Sequence, residues 1–525
     1  MLKVWTRDVL SELVRTKLDR YRFIVVSNRE PFQHRYKTDK RGGAIECVQP
    51  VGGVVSALDP VMQACGGVWI AHGNGSADRT VVDFYDHVQV PPTNPSYTLR
   101  RVWLSKEEEE GHYAGLSNQG LWPLCHVAFS RPTFEPAHWE MYRRVNERFA
   151  EAVLEEAGDE PTFVFIQDYH FGLLPRMLRN ARSSNMVIAQ FWHIPWPNRE
   201  VFRSFPWREE LLDGLLGNDL LGFHLHHHCH NFLDTVHGSL EARVDRGGSE
   251  VERGRHATVV RPFPIGIDFD EHADLAESPE VARQMERWKK ELALNGKMLA
   301  IGIDRLDYTK GIPERLRALD RFLEQCPEYR GHLVFTQIAV PSRSSLAAYR
   351  QIEREVDDLV KAINTRWGTR TWRPIVLLKR HYTPVEMIGL HRLAQFCVVT
   401  SLHDGMNLVA KEFVASCVDE DGVLVLSQFA GAARELKEAL QINPFAIEEG
   451  AAAYRLALEM HPDERRRRMQ KMRETVEQNN VYRWAGKLLS ELCKIEFPVH
   501  APSPHRDLQP LRREQFSDET LDVAV

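Results

Sequence analysis

Eight short apolar runs constrain the fold more than any other feature of the chain: FIVVSN (23–28), TFVFIQ (162–167), MVIAQFW (186–192), MLAIGI (298–303), HLVFTQIAV (332–340), IVLLK (375–379), FCVVT (396–400) and VLVLS (423–427). They lack the in/out alternation of a half-exposed strand, so they read as strands buried on both faces. Each is followed by a polar turn and a stretch of helical periodicity, the pattern of βαβ units in mostly parallel sheets. In such α/β sheets ligands bind beyond the carboxyl ends of the strands. Function is therefore to be sought in the polar residues just after each run.

At 525 residues the chain exceeds what a single core supports, which predicts two large domains. A break falls after Ile267, where an acid-rich, Pro-containing stretch reads as a connector and a fresh helix starts near Val281. The division is an amphipathic helix over 1–20, a first domain over 21–270, a second over 271–475, a terminal helix over 476–500 and a Pro-rich, disordered tail over 501–525. The first helix lacks the apolar core of a signal peptide and is expected to pack on the body or on a neighbouring subunit of a homo-oligomer. No apolar run reaches the roughly 20 residues that cross a bilayer. The net charge of −6 invites neither nucleic acid nor an acidic membrane surface. Eight scattered cysteines without a C-x-x-C pair suit the reducing cytoplasm.

Two stretches carry the densest chemistry. In IGIDRLDYTKGIPERL, Arg305 and Lys310 flank a tight turn at a strand end and are placed to hold a diphosphate, the first as a fork and the second as a point charge. The bland alternative is a solvated loop with an ion pair to Asp307. In SLHDGMNLVAKEF, a helix starting at about Gly405 would align Asp404, Leu408 and Glu412 on one face, with the two acids roughly 12 Å apart at ~1.5 Å per residue. That matches the reach of a nucleotide sugar from hexose to ribose. The amides of Met406, Asn407 and Leu408 would face the phosphates from the helix N-terminus. The bland alternative is a capping Asp and a surface Glu.

In the first half, Arg29 ends a strand, Gly52 and Gly53 head a helix, and Asp168, His170 and His193 follow strands. FHLHHHCHNF offers the i, i+4 pairs His224/His228 and His226/His230, but no carboxylate or second ligand segment joins them, so no metal is assigned. ERRRRMQKMR reads as a solvated helix face.

Taken in order, VVSNR, GLSNQGLWPLCH, QDYHFGLLP, WHIPWPNREVF, RLDYTKGIPERL, TQIAVPSR, DGMNLVAKEF and VLVLSQFAGAARELKEAL resemble the retaining glycosyltransferases of the trehalose-6-phosphate synthase family, from about Phe23 to Phe497. The resemblance implies two Rossmann-like domains facing across a cleft (the GT-B type), with a C-terminal helix crossing back to the first. It places Gly53, Arg305, Lys310, Asp404 and Glu412 on a nucleotide-sugar donor, UDP-glucose foremost, and His193 beside the donor hexose. Arg29, Tyr113, Trp122, Asp168 and Arg343 become the pocket for the acceptor, glucose 6-phosphate. It implies no metal, no other cofactor and no protein nucleophile.

The chain departs from the family pattern at three places: His403 where Arg is usual, Trp196 and Asn198 in the segment after His193, and His72 after GVW. All three bear on substrate choice in this reading. The rival readings are a sister enzyme such as a glucosylglycerol-phosphate synthase, which lacks the Arg of VPSR, and a catalytically silent sugar-phosphate sensor, which is free to lose Arg305, Lys310 or Asp404.

Overall fold

The structure, a computed structural model, describes residues 5–18, 20–37, 43–49, 53–182 and 185–495. The tail from 501 and Gly52 lie outside the described residues. All eight apolar runs are strands, and their places in two sheets explain the missing alternation. The first sheet runs in the order Arg243–Asp245, Glu250–Arg253, His256–Pro262, Leu220–Phe223, Met186–Phe191, Thr162–Gln167, Arg22–Arg29, Val68–His72, Tyr97–Val102 and His87–Val90. It is parallel from His256–Pro262 through Tyr97–Val102, with antiparallel strands only at its edges. The second sheet runs Ile375–Leu378, Leu333–Val340, Met298–Arg305, Phe396–Val399, Val423–Ser427 and Leu440–Ile442, parallel throughout.

Numbered by chain order, the second sheet reads 3-2-1-4-5-6, and the parallel part of the first reads 3-2-1-4-5-6-7. Both are doubly wound Rossmann orders, whose crevice opens where the order reverses, between the first and fourth strands. In the first sheet that point lies between Arg22–Arg29 and Thr162–Gln167, which delivers Arg29 and Asp168. In the second it lies between Met298–Arg305 and Phe396–Val399, which delivers Arg305 and the turn containing Asp404.

Several expected boundaries are corrected. The stretch taken as a connector is helical: Asp268 caps Phe269–Glu277, and Ser278, with Pro279 behind it, starts Pro279–Glu291. The terminal helix is two: Pro462–Gln478 packs on the second domain, the chain turns at Asn479 and Asn480, and Val481–Leu492 follows. Trp484 of this last helix meets Phe165 and Phe191 of the first sheet, with ring centroids 5.9 and 5.2 Å apart. The N-terminal helix covers Arg7–Lys17, capped by Thr6, and packs on this chain's own helices Gly53–Cys65 and Val481–Leu492. Its buried Leu10 and a bond from Ser11 Oγ to the Ala64 carbonyl (3.1 Å) fix it there. Strands Val68–His72, Tyr97–Val102 and Leu220–Phe223 were not among the expected runs.

Among the described residues no helix is long and apolar enough to cross a membrane. All eight cysteines are free thiols.

Four buried imidazoles carry a pH signature. Burial pulls His112 down to about 4 and His126, His224 and His391 down to about 3, from an ordinary value near 6.5. Below pH ~6.5 the unfolded chain binds protons that the folded one refuses. Stability is therefore complete above that value and falls on acidification, at about 1.4 kcal/mol per pH unit for each imidazole. The urea midpoint is expected to drop steeply between about pH 7 and pH 5. A midpoint flat over that range would show that these rings accept protons without unfolding.

Candidate active site

One side of the cleft is built on the second sheet's switch point. Strand Met298–Arg305 ends in Arg305, whose guanidinium has no hydrogen-bond partner among the described residues and lies 5.8 Å from the Trp122 ring centre. Asp307 caps the tight turn Tyr308–Lys310, accepting from Thr309 N (3.0 Å) and Thr309 Oγ1 (2.9 Å). Gly311 then takes a left-handed φ of 61°, against the Thr400 carbonyl, where a Cβ would collide. Helix Ile312–Gln325 starts there, with Pro313 in its first turn.

This geometry puts Lys310 Nζ 2.6 Å from Asp404 Oδ2, with the two side chains 12% and 13% exposed. The bland alternative of a solvated loop with a surface ion pair to Asp307 does not hold, because Asp307 is buried and pairs with Arg343 at 3.6 Å. Asp404 also accepts from Ser401 Oγ (3.1 Å) and Asn407 Nδ2 (3.2 Å). Burial would raise its carboxyl, but the Lys310 charge and hydrogen bond outweigh burial and hold it well below the usual range.

The helix after Asp404 begins later than expected. Asn407, at φ 80°, caps it by accepting from Ala410 N (3.1 Å), and the helix covers Leu408–Ser416. Asp404 lies in the preceding turn, tied by a parallel bridge to Ala430. Asp404 and Glu412 are thus not two points on one helix face. Met406 is buried, and its carbonyl accepts from Ala432 N at 2.8 Å. The Glu412 carboxylate has no hydrogen-bond partner among the described residues, and burial raises its pKa against the opposing His272. Gly53 opens helix Gly53–Cys65 in the first domain, and a Cβ on it would stand 3.2 Å from Leu408 Cδ1. Two helix N-termini, one from each domain, therefore converge, which suits a polyanion.

His193 closes this side. Its Nε2 donates to Gln167 Oε1 (2.9 Å), and its carbonyl accepts from His224 Nε2 (3.0 Å). Gly405 packs against that same carbonyl, where a Cβ would clash. Burial keeps the imidazole neutral.

The other side joins residues of both domains. Tyr113 sits on a twelve-residue π-helical segment, Glu110–Leu121, a geometry that is rare and concentrated at functional sites. Exposed Arg29 donates to Tyr113 OH at 3.4 Å. From the second domain Arg343, 7% exposed, stacks 4.4 Å from the Trp122 ring centre and 5.9 Å from that of Tyr113. It also donates to Tyr169 OH (3.4 Å) and Tyr349 OH (2.6 Å). Arg343 stands three residues beyond the end of its strand rather than at it. Asp168 Oδ1 accepts from the amides of Tyr169 (3.0 Å) and His193 (3.2 Å). Burial pushes the Asp168 carboxyl up to about 7, against the pull of Arg343 and Arg305. Burial would also raise the Tyr113 phenol, but Arg343 and Arg29 together bring it down to about 7.

Three of these residues, Asp168 (φ 71°), Arg343 (φ 50°) and Asn407 (φ 80°), hold left-handed backbone without being glycine. Such strain costs on the order of 1–3 kcal/mol per residue and gathers at binding sites.

Of the departures from the family pattern, His403 bridges the domains, donating from Nδ1 to the His126 carbonyl at 2.7 Å, and His72 pairs in strand register with Arg29. Trp196 is core, packed on Phe202, Phe223 and Phe232. Asn198 caps helix Arg199–Phe202, and buried His72 bonds the Val102 carbonyl at 3.2 Å. Trp196 and Asn198 thus hold local structure. Among the described residues no group of three or more His, Cys, Asp or Glu side chains is placed to hold a metal, the 224–230 segment included. Sequence reasoning missed Tyr169 and Tyr349, the partners of Arg343, and Tyr169 becomes one only when the two domains meet.

Two Rossmann-order domains, their switch points facing each other and lined by cations and carboxylates, have the architecture of a glycosyltransferase of the GT-B type. The sequence pattern of glycosyltransferase family 20 matches residues 21–494, and the chain belongs to that family. It is 38% identical over 492 residues to the trehalose-6-phosphate synthase of Mycolicibacterium gilvum, covering 92% of this chain and 95% of that protein. It is 39% identical over 488 residues to the bifunctional trehalose-6-phosphate synthase/phosphatase of Thermoproteus tenax, covering 90% of this chain but only 64% of the relative. A solved structure of the UDP-forming alpha,alpha-trehalose-phosphate synthase of Burkholderia xenovorans, in complex with glucose-6-phosphate, superposes with a TM-score of 0.80. That pair is 31% identical, covering 90% of this chain and 100% of the other.

Proposed function

We propose that the protein transfers glucose from UDP-glucose to glucose 6-phosphate with retention at the anomeric carbon, forming trehalose 6-phosphate and UDP. The observation that carries this reading is the pair of cationic centres in one cleft: Arg305 and Lys310 at one switch point, Arg29 and Arg343 meeting over Tyr113 at the other. One centre suits the diphosphate, the other the acceptor phosphate.

Asp404 accepts from the hexose hydroxyls and Glu412 from those of the ribose. Gly53 and the Leu408 helix start approach the diphosphate, His193 borders the donor hexose, and Asp168 orients the acceptor. The bond from C1 of glucose to the β-phosphate oxygen breaks with its electrons going to UDP. The C1 hydroxyl oxygen of glucose 6-phosphate attacks the same face, and its proton passes to the departing phosphate oxygen. The chain contributes positioning and the charge of Lys310 and Arg305 on the leaving group. Arg343 also argues against glycerol 3-phosphate as acceptor, because the sister enzymes lack that arginine. The free thiols suit a cytosolic protein.

Incubation with UDP-, ADP- and GDP-glucose against glucose 6-phosphate and glycerol 3-phosphate, with products identified by mass and excess chelator in parallel, tests the reading. Trehalose 6-phosphate from UDP-glucose, undiminished by chelator, is expected. Product from glycerol 3-phosphate alone, or no turnover with any pair, would overturn it.

A further inference from the structure

A buried chain of hydrogen bonds joins the acceptor arginine to the donor turn. Arg343 Nη1 donates to Tyr349 OH at 2.6 Å, and Tyr349 OH donates to Asp307 Oδ2 at 3.3 Å. The other oxygen of Asp307 holds Thr309, the residue before Lys310, through both its amide and its hydroxyl. Arg343 Nη1 also lies 3.6 Å from Asp307 Oδ2. Neither Asp307 nor Tyr349 faces solvent: Asp307 is 0% and Tyr349 2% exposed. Buried to this degree, neither is open to a ligand.

We infer that Asp307 and Tyr349 are positioning residues that couple the two substrate sites, so that a filled donor site fixes Arg343 for the acceptor phosphate. Asp307 shares its charge among three cations, Arg343, Arg305 and Lys310, which together hold it ionised against burial. A diphosphate at the donor site engages Arg305 and Lys310. The claim of Asp307 on Arg343, direct and through Tyr349, then strengthens, and the guanidinium is held in the geometry that receives the second dianion. Coupling of this kind is reciprocal and typically amounts to a factor of about 5–150 in affinity.

The inference rests on the assignment of Arg343 to the acceptor phosphate, and one experiment separates the two. Glucose 6-phosphate binding is titrated calorimetrically, with and without saturating UDP, in the unaltered protein, Tyr349→Phe, Asp307→Asn, Arg343→Ala and the Tyr349→Phe/Arg343→Ala double variant. Tyr349→Phe keeps the ring that packs on Tyr308, and Asp307→Asn keeps an oxygen for Thr309. UDP is expected to tighten glucose 6-phosphate binding at least about fivefold in the unaltered protein and by less than about twofold in Tyr349→Phe and Asp307→Asn. In the Arg343→Ala background, Tyr349→Phe is expected to add nothing, since its effect runs through the missing guanidinium. Full coupling in Tyr349→Phe, or independent and additive losses in the double variant, would overturn the inference while leaving the assignment of Arg343 standing. No loss of glucose 6-phosphate affinity in Arg343→Ala itself would overturn both.

Discussion

Replacing Lys310 with alanine is expected to lower turnover by about 10²–10³-fold, the loss typical of one preorganised charge contact to a leaving group. Negative charge grows on the diphosphate as the glucosyl bond breaks, so Lys310 contributes more to the transition state than to the bound donor. The structure adds a second source of damage. Lys310 is the only cation bonded to Asp404 among the described residues, and its removal leaves a buried carboxylate held only by Ser401 and Asn407. Asp404 should then take up a proton at a higher pH than before and accept less well from the hexose. Stopped-time assays at saturating substrates should therefore show kcat collapsing while the KM for glucose 6-phosphate moves less than about twofold. Unchanged kcat would remove Lys310 from the leaving-group role.

Arg343→Ala is expected to raise the KM for glucose 6-phosphate by one to two orders of magnitude, because a charge-assisted bond contributes about 1.5–3 kcal/mol and about 1.4 kcal/mol is tenfold. Affinity for UDP-glucose measured in the absence of glucose 6-phosphate should barely change, since its phosphates are assigned to Arg305 and Lys310. The alternative is that Arg343 merely braces its loop, which its stacking on Trp122 and its bond to Tyr349 make a serious rival. The two readings part on the affinity for each substrate measured alone, in a variant that melts like the unaltered protein. Equal weakening of both substrates, or of neither, would sink the acceptor assignment.

What the sequence could reveal was decided by locality. Central parallel strands such as Thr162–Gln167 and Val423–Ser427 are buried on both faces, and an unbroken apolar run says so without reference to any partner. Strand Leu220–Phe223 is equally buried, but its run LLGF contains a glycine and no β-branched residue to mark it as a strand. The helix after Asp404 was set too early because an Asp-Gly pair looks like a start. Asn407 competes for that role, and its left-handed backbone, which no local pattern announces, wins. The π-helical segment around Tyr113 escapes any search at a period of 3.6 residues. Arg343 was legible as a motif residue, whereas its partners Tyr169 and Tyr349 lie 174 and 6 positions away and become partners only through the tertiary fold.

The return of the chain at Asn479 and Asn480 makes the second domain an insertion within the first, because both described ends of the polypeptide rest on the same body. The outbound and return crossings touch: Gly266 packs on the Asn479 carbonyl so closely that a Cβ would collide, and Val481 N bonds the Ile267 carbonyl at 3.0 Å. Two backbones bound side by side form an axle. They permit rotation of one domain against the other and resist translation, so the cations of the two switch points meet along an arc in a fixed register. A protease that cuts one crossing leaves the other as a tether, and both must be severed before the halves of the active site can part.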